Sequence, residues 1–378
     1  MLIDKFAEIH STIYNDYIKE FRAGGGKVIG ICYSQVPVPE VYHAAGMLGV
    51  RLRANEITAT TLGDAHFGPV VCSFPKSILQ MAGEGKLRFL DGVVTSSLCD
   101  TMRRLDDCWR RAAKDMNGLL PSFHQYFAVP HKTYDFNLEW FAEELRLHVK
   151  EIEAAFGVNV TTTALNRSIR LYNHGRRLLR RLDEMRSRPD VPISGADALL
   201  VFVAAVSMPM EKFIALTEAL LSELESSAET VKGKRLFMVG SVNDDRAFVD
   251  SIEQTGAVIV GDMMSFGAKY YENMIEEDSD DPLYEIARAY LNNLNHPRMF
   301  GRFKERSALL AEKVKQCGAQ GVILQNIRFC DLHGCENSLF EKDLTAMAIP
   351  CLKLEREYGP LVETERVKMR AQAFVERI

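Results

Sequence analysis

LDGVVTSSLCDTMRRLDDCWRRAAK, residues 90–114, decides the fold class. Leu90 to Thr95 is a short apolar run rich in β-branched residues, the pattern of a strand buried on both faces. The tetrapeptide SSLC breaks the run, and a helix is read from Thr101 to Lys114. A buried strand feeding directly into a helix is half of a β–α–β unit, which implies a parallel sheet.

The same alternation extends in both directions. Upstream, residues 1–24 read as one helix with Ile3, Phe6, Ile9, Ile13 and Tyr17 on a stripe, stopped by Gly24-Gly25-Gly26. Lys27 to Tyr33 (KVIGICY) is a buried strand, Pro37 and Pro39 open a turn, Glu40 to Met47 is a short helix and Gly49 to Leu52 a strand. Cys72 begins a helix that ends at Gly83 or Gly85, and Tyr126 to Val129 is a strand ahead of Pro130. The middle of the chain differs. Leu138 to Phe156, Thr163 to Arg188 and Ala196 to Ser226 carry long helical patterns with few strand signals. The basic stretch from Arg176 to Arg188 alternates with leucines at helical spacing and reads as the solvated face of a helix.

Strands return at Arg235–Gly240, Ala257–Val260, Val322–Gln325 and Cys351–Leu354. They are separated by helices at Asp245–Gln254, Met299–Cys317 and Leu339–Ala348 and closed by Glu363–Arg377. The expected fold is α/β: two flavodoxin-like parallel-sheet lobes, residues 1–136 and 231–378, with a helical region at 137–230 between them.

At 378 residues, 47% hydrophobic, the chain can bury a large core. Its net charge of −5 gives no concentrated basic surface for nucleic acid. Asp4 and Glu8 interrupt any secretion-signal pattern, and Ala196–Met210 is too short to span a bilayer, so a cytoplasmic protein is expected. In that compartment the eight cysteines are not expected to form disulfides. None forms a C-x-x-C pair, which argues against a zinc ribbon, a thioredoxin motif and a ferredoxin cysteine run.

Ligands of open parallel sheets bind beyond the carboxyl ends of the strands. Cys99 and Cys330 follow such ends, and Cys72 starts a helix, where amide donors stabilise a thiolate. Two facing lobes would bring the three together. Spacing alone leaves them equally readable as ligands or as small buried residues. Cys108, Cys317 and Cys351 read as core residues.

Several segments carry a resemblance. PEVYHAAGM (39–47) resembles a P-E-x-x-x-A-A-G loop. GDAHFGPVVCSFPKS (63–77), DGVVTSSLCDTMRRL (91–105) and GVILQNIRFC (321–330) resemble three cysteine-bearing segments, and Glu355, Glu357 and Tyr358 a closing acidic–tyrosine element. In this order they are similar to the family of 2-hydroxyacyl-CoA dehydratases and ATP-dependent benzoyl-CoA reductases, over essentially the whole chain. The resemblance implies a [4Fe–4S] cluster with three ligands, Cys72, Cys99 and Cys330. It also implies a related second catalytic subunit, ATP-hydrolysing iron–sulfur activator subunits and an acyl-CoA substrate. Cys32 has a counterpart in a double-cubane branch, but GVRLRAN and NNLNHPRMF lack the further cysteines of that branch, so a single cubane is expected. Cys335 ranks below Cys330, which is the residue in register.

Within the family, S-x-C-D, Arg104-Leu105, Trp109 and VPEVYHAAGM are closest to the smaller cluster-bearing subunit of benzoyl-CoA reductases. A dehydratase subunit, or a non-catalytic relay or scaffold, is the alternative. Glu40 and His43 are candidates for a proton relay near the cluster; the structural alternative is a helix cap and a satisfied histidine. Arg103 and Arg104 are candidates for CoA phosphates, or else surface charges. Met263 and Met264, in a loop facing the cleft, are expected to pack against substrate or partner. Gly24-Gly25-Gly26 precedes a strand instead of following one, so no P-loop is present and ATP hydrolysis is assigned to the activator.

Overall fold

The computed structural model describes residues 2–32, 38–116, 118–293, 295–299, 301–360 and 363–378; Tyr33 and Pro37, read above as a strand end and a turn, lie outside them. The first lobe contains β1 (Val28–Ile31), β2 (Leu48–Arg51), β3 (Gly92–Ser96) and β4 (Phe123–Phe127), all parallel and ordered β2-β1-β3-β4. The second contains β5 (Lys234–Gly240), β6 (Ala257–Met263), β7 (Gly321–Ile327) and β8 (Cys351–Arg356), all parallel and ordered β6-β5-β7-β8. Both orders double back from an inner strand, as in a flavodoxin-like sheet. Every residue of β1, β2 and β3 is buried, as continuous apolar runs require.

Among the described residues, the first segment supplies α1 (Leu2–Ser11), α2 (Asp16–Ala23), α3 (Pro39–Ala44), α4 (Thr61–His66), α5 (Ser73–Gly83) and α6 (Asp100–Asp115). The middle supplies α7 (Asp135–Phe156), α8 (Thr162–Ser187), α9 (Gly195–Ala204) and α10 (Met210–Ser226). The last segment supplies α11 (Arg246–Glu253), α12 (Ala268–Tyr271), α13 (Pro282–Leu291), α14 (Phe303–Gln316), α15 (Asp331–Ala346) and α16 (Thr364–Arg377).

The single helix expected over residues 1–24 is two. Asn15 interrupts it: its side chain accepts from the Ile18 amide at 3.2 Å, which caps α2, and donates to the Ser207 carbonyl at 2.8 Å. The helices α4, α12 and α13 were not anticipated. For α13 a start signal was available: Asp281 accepts from the Tyr284 amide and Pro282 takes the first turn.

Packing crosses between the lobes. Phe6 and Ile9 of α1 join a core built from α8, α9, α10 and the second sheet. In return, Ile286, Tyr290 and Leu291 of α13 join the core of β1, α3, α7 and α8. Each lobe is therefore completed by a helix from the opposite end of the chain. Among the described residues, no helix is long and apolar enough to cross a membrane.

Two features of this frame are testable. At Gly240, the last residue of β5, a Cβ would lie 1.9 Å from the Gln325 carbonyl oxygen of the neighbouring β7, and φ is 152°. Gly240→Ala should therefore cost about 2–4 kcal/mol in a denaturant titration. His148 of α7 is fully buried and pairs with the Tyr42 hydroxyl at 2.9 Å; burial pushes its pKa from 6.5 down to about 3. The stability due to neutral His148 is complete above the unfolded pKa near 6.5 and is lost as pH falls toward 3. Melting temperatures measured from pH 7 to 4 should drop less steeply in His148→Gln than in the wild type.

Candidate metal centre

Cys72, Cys99 and Cys330 are each the residue immediately before a helix: α5, α6 and α15 respectively. All three line one cavity of about 150 Å³. Cys72 and Cys99 come from the first lobe and Cys330 from the second, so the cavity lies where the lobes meet. Most of the remaining wall is apolar, with Phe74, Met102, Val242 and Ile327 among its residues.

The thiols feel both burial and one another. Burial pushes Cys99 up to about 12, with Cys330 adding to the rise; burial pushes Cys330 up to about 11; and burial, then Cys330 and Cys99, push Cys72 well above the ordinary thiol value. Opposing this, the amides of Phe74, Met102 and His333 favour the respective thiolates. These N–H groups lie in the first turns of α5, α6 and α15, where the helix dipole favours a thiolate. A coordinating metal removes thiol protons outright, so a group carrying several cations suits this donor set far better than water does.

The size of the site also discriminates. Among the described residues, no three His, Cys, Asp or Glu side chains close round a single metal ion. A cube of four irons and four sulfides is wider and holds its thiolates apart. Cys32 lines the same cavity, and burial and then Asp106 raise its thiol. Cys335 is exposed on α15. Thiols of this kind, gathered on one cavity, are the donor type that an iron–sulfur cluster takes.

Basic groups that no motif marks complete the surroundings. Arg51, at the end of β2, lines the cavity, lies 3.5 Å over the Phe266 ring and donates to the Ser265 carbonyl at 2.6 Å. His296 and His333 also line it, with their rings edge to face at 5.2 Å. Behind them Lys269 is buried, donating to the Gly240 carbonyl at 2.8 Å, with its Nζ 3.5 Å from His333 Nε2. Burial pushes its pKa down to about 7, while Glu336 and Cys330 oppose the fall.

The other sequence candidates lie elsewhere. Glu40 is fully buried against Arg176, and the Tyr290 hydroxyl donates to its Oε2 at 3.1 Å. His43 contacts Ser168 Oγ at 2.6 Å and Glu211 at 2.9 Å. Neither residue lines the cavity. Arg104 is exposed and pairs with Asp100 at 2.8 Å. Arg103 lies on an open groove with Ser97, Tyr126, Phe136, Asn137 and Trp140, and does not line the cavity.

Two expectations are corrected. The stretch from Arg176 to Arg188 is not wholly a solvated face, because Arg176 and Arg186 turn inward. Arg186 pairs with Asp262 at 2.7 Å, just as Arg176 pairs with Glu40. Met263 and Met264 do not face a substrate or partner. The strand β6 runs on through Met263, and both side chains are packed into the chain's own core.

The profile of a family described as 2-hydroxyglutaryl-CoA dehydratase, D-component, matches residues 33–378. A benzoyl-CoA reductase subunit of Thauera aromatica is 27% identical over 80% of this chain and 78% of its own length. The lactoyl-CoA dehydratase beta subunit of Anaerotignum propionicum is 22% identical over 95% and 94%. The (R)-2-hydroxyglutaryl-CoA dehydratase beta subunit of Acidaminococcus fermentans is 25% identical over 93% of each chain.

The position of Glu40 predicts a stability effect. Glu40→Ala strands the buried Arg176 charge and should cost roughly 3–5 kcal/mol in chemical denaturation. His43→Ala, away from the cavity, should leave stability within about 1 kcal/mol of the wild type.

Proposed function

Because the chain belongs to the 2-hydroxyglutaryl-CoA dehydratase D-component family, we propose that it is the iron–sulfur subunit of an ATP-dependent benzoyl-CoA reductase. Three half-buried thiols at the starts of three helices, facing one cavity, carry this reading. Cys72, Cys99 and Cys330 are the ligands of a [4Fe–4S] cluster. Bound there, the cluster supplies single electrons at low potential.

The chain's own residues do the rest. Phe74, Met102, Val242 and Ile327 give the cavity an apolar wall, beside which charge interactions are stronger than in bulk water. The three helix starts, with Arg51 and Lys269 nearby, offset the negative charge that thiolates and added electrons bring. The groove of Arg103, Phe136 and Trp140 beside the Cys99 turn suits an anionic, ring-bearing CoA tail. In the reaction, two electrons and two protons convert the aromatic ring of the acyl-CoA into a cyclic diene. A second, related subunit makes up the rest of the catalytic core, and separate activator subunits hydrolyse ATP.

One observation favours a second reading, a subunit of a 2-hydroxyacyl-CoA dehydratase. The two dehydratase beta subunits align over 95% and 93% of the chain, the reductase subunit over 80%. In that reaction water leaves the 2-hydroxyacyl group and the electron is returned.

Iron and acid-labile sulfide, measured on anaerobically purified protein, should each come to about four per chain and be lost in Cys72→Ser, Cys99→Ser and Cys330→Ser. With partner, activator and ATP, benzoyl-CoA should yield a dienoyl-CoA. Dehydration of a 2-hydroxyacyl-CoA with no such product would establish the second reading instead.

A further inference from the structure

Glu357 and Tyr358 follow β8, and nothing in the function above gives them a task. They touch Ser73, the first residue of α5 and the neighbour of Cys72. Ser73 Oγ accepts from the Tyr358 amide at 2.8 Å and donates to Glu357 Oε2 at 2.7 Å. The other carboxylate oxygen of Glu357 lies 3.5 Å from Arg328 Nη1. Arg328 belongs to the turn that carries Cys330, and its amide donates to the Arg356 carbonyl at 2.9 Å. One carboxylate thus bridges the Cys72 turn and the Cys330 turn.

Tyr358 repeats the pattern at depth. Its buried hydroxyl accepts from the Ala54 amide, just past β2, at 2.8 Å, and donates to Asp244 Oδ2, just past β5, at 3.0 Å. A single oxygen therefore joins the first lobe to the second. The ring meets Phe74 edge to face at 4.9 Å, and Phe74 is part of the cavity wall.

From these contacts we infer that Glu357 and Tyr358 form a clasp that sets Cys72 in register with Cys330 across the lobe boundary. The inference rests on the cluster reading above. Cys72 and Cys99 share a lobe, and α5 and α6 pack against each other, so their separation is set locally. Cys330 arrives from the other lobe, and its distance from the pair depends on how the lobes are held. A site of this kind tolerates only about 0.5 Å of error in its ligands. Tyr358 and Glu357 are positioning residues; neither touches the cavity.

Tyr358→Phe removes both hydroxyl bonds and keeps the ring on Phe74. Ser73→Ala removes the link to the Cys72 turn at a half-buried position where alanine continues the helix. Tyr290→Phe, which loses a buried hydroxyl on Glu40 away from the cavity, controls for loss of stability alone. The full-length proteins would be purified anaerobically and compared by circular dichroism, iron content, the electron paramagnetic resonance spectrum of the reduced cluster, and the rate of iron loss to a chelator. Tyr358→Phe and Ser73→Ala should lose iron about 10-fold faster or more, with altered g-values. Tyr290→Phe should match the wild-type spectrum. If both clasp variants kept the wild-type spectrum and rate, the clasp would be wrong and the cluster reading would stand. If the wild type held no iron, both would fall. Should Tyr358→Phe not fold, Ser73→Ala decides by itself.

Discussion

Three half-buried thiols meet at the junction of two lobes, and the packing around them follows from that. Burial alone makes each thiol hard to ionise, and each charge would raise its neighbours further. Part of that cost is offset by the dipoles of α5, α6 and α15, each of which starts directly after one of the cysteines. Helix starts lie at the carboxyl ends of parallel strands, and here two such sheets together supply the three. The architecture and the donor set are thus one constraint seen at two scales.

Such a junction has to be rigid, and the packing crosses it repeatedly. Helix α1 completes the second lobe and α13 the first. Arg51 reaches from β2 to the Ser265 carbonyl, and Arg176 of α8 is locked on Glu40 of α3. Buried ion pairs like Arg176–Glu40 contribute little net stability, but breaking one partner is costly, so they define a single arrangement of the elements they join. The dipeptide after β8 continues this pattern next to the cysteines themselves.

Much of this was legible in the sequence. Buried apolar runs followed by helical patterns gave away both sheets, because strand and helix periodicity are local properties. The positions of Cys72, Cys99 and Cys330 left them equally readable as ligands or packing; the resemblance singled them out, and the structure brings them to one cavity. What stayed hidden depended on contacts between distant segments. Helical spacing shows that α8 has a polar face, but not that α3 and β6 cover part of it, which is why Arg176 and Arg186 read as solvated. Glu40 and His43 looked close to the chemistry because they follow β1, yet α3 turns them toward α8 and α10. Lys269, His296 and His333 lie in no motif; only the folded chain gathers them.

The central claim is that this junction holds a four-iron cube on Cys72, Cys99 and Cys330. The most direct measurement is anomalous X-ray diffraction at the iron edge from crystals grown without oxygen. A strong anomalous peak resolving to four irons, bounded by those three sulfurs and open on the fourth side, is the predicted result. An empty cavity in iron-loaded protein, or a peak centred on Cys335 or Cys351, would contradict it.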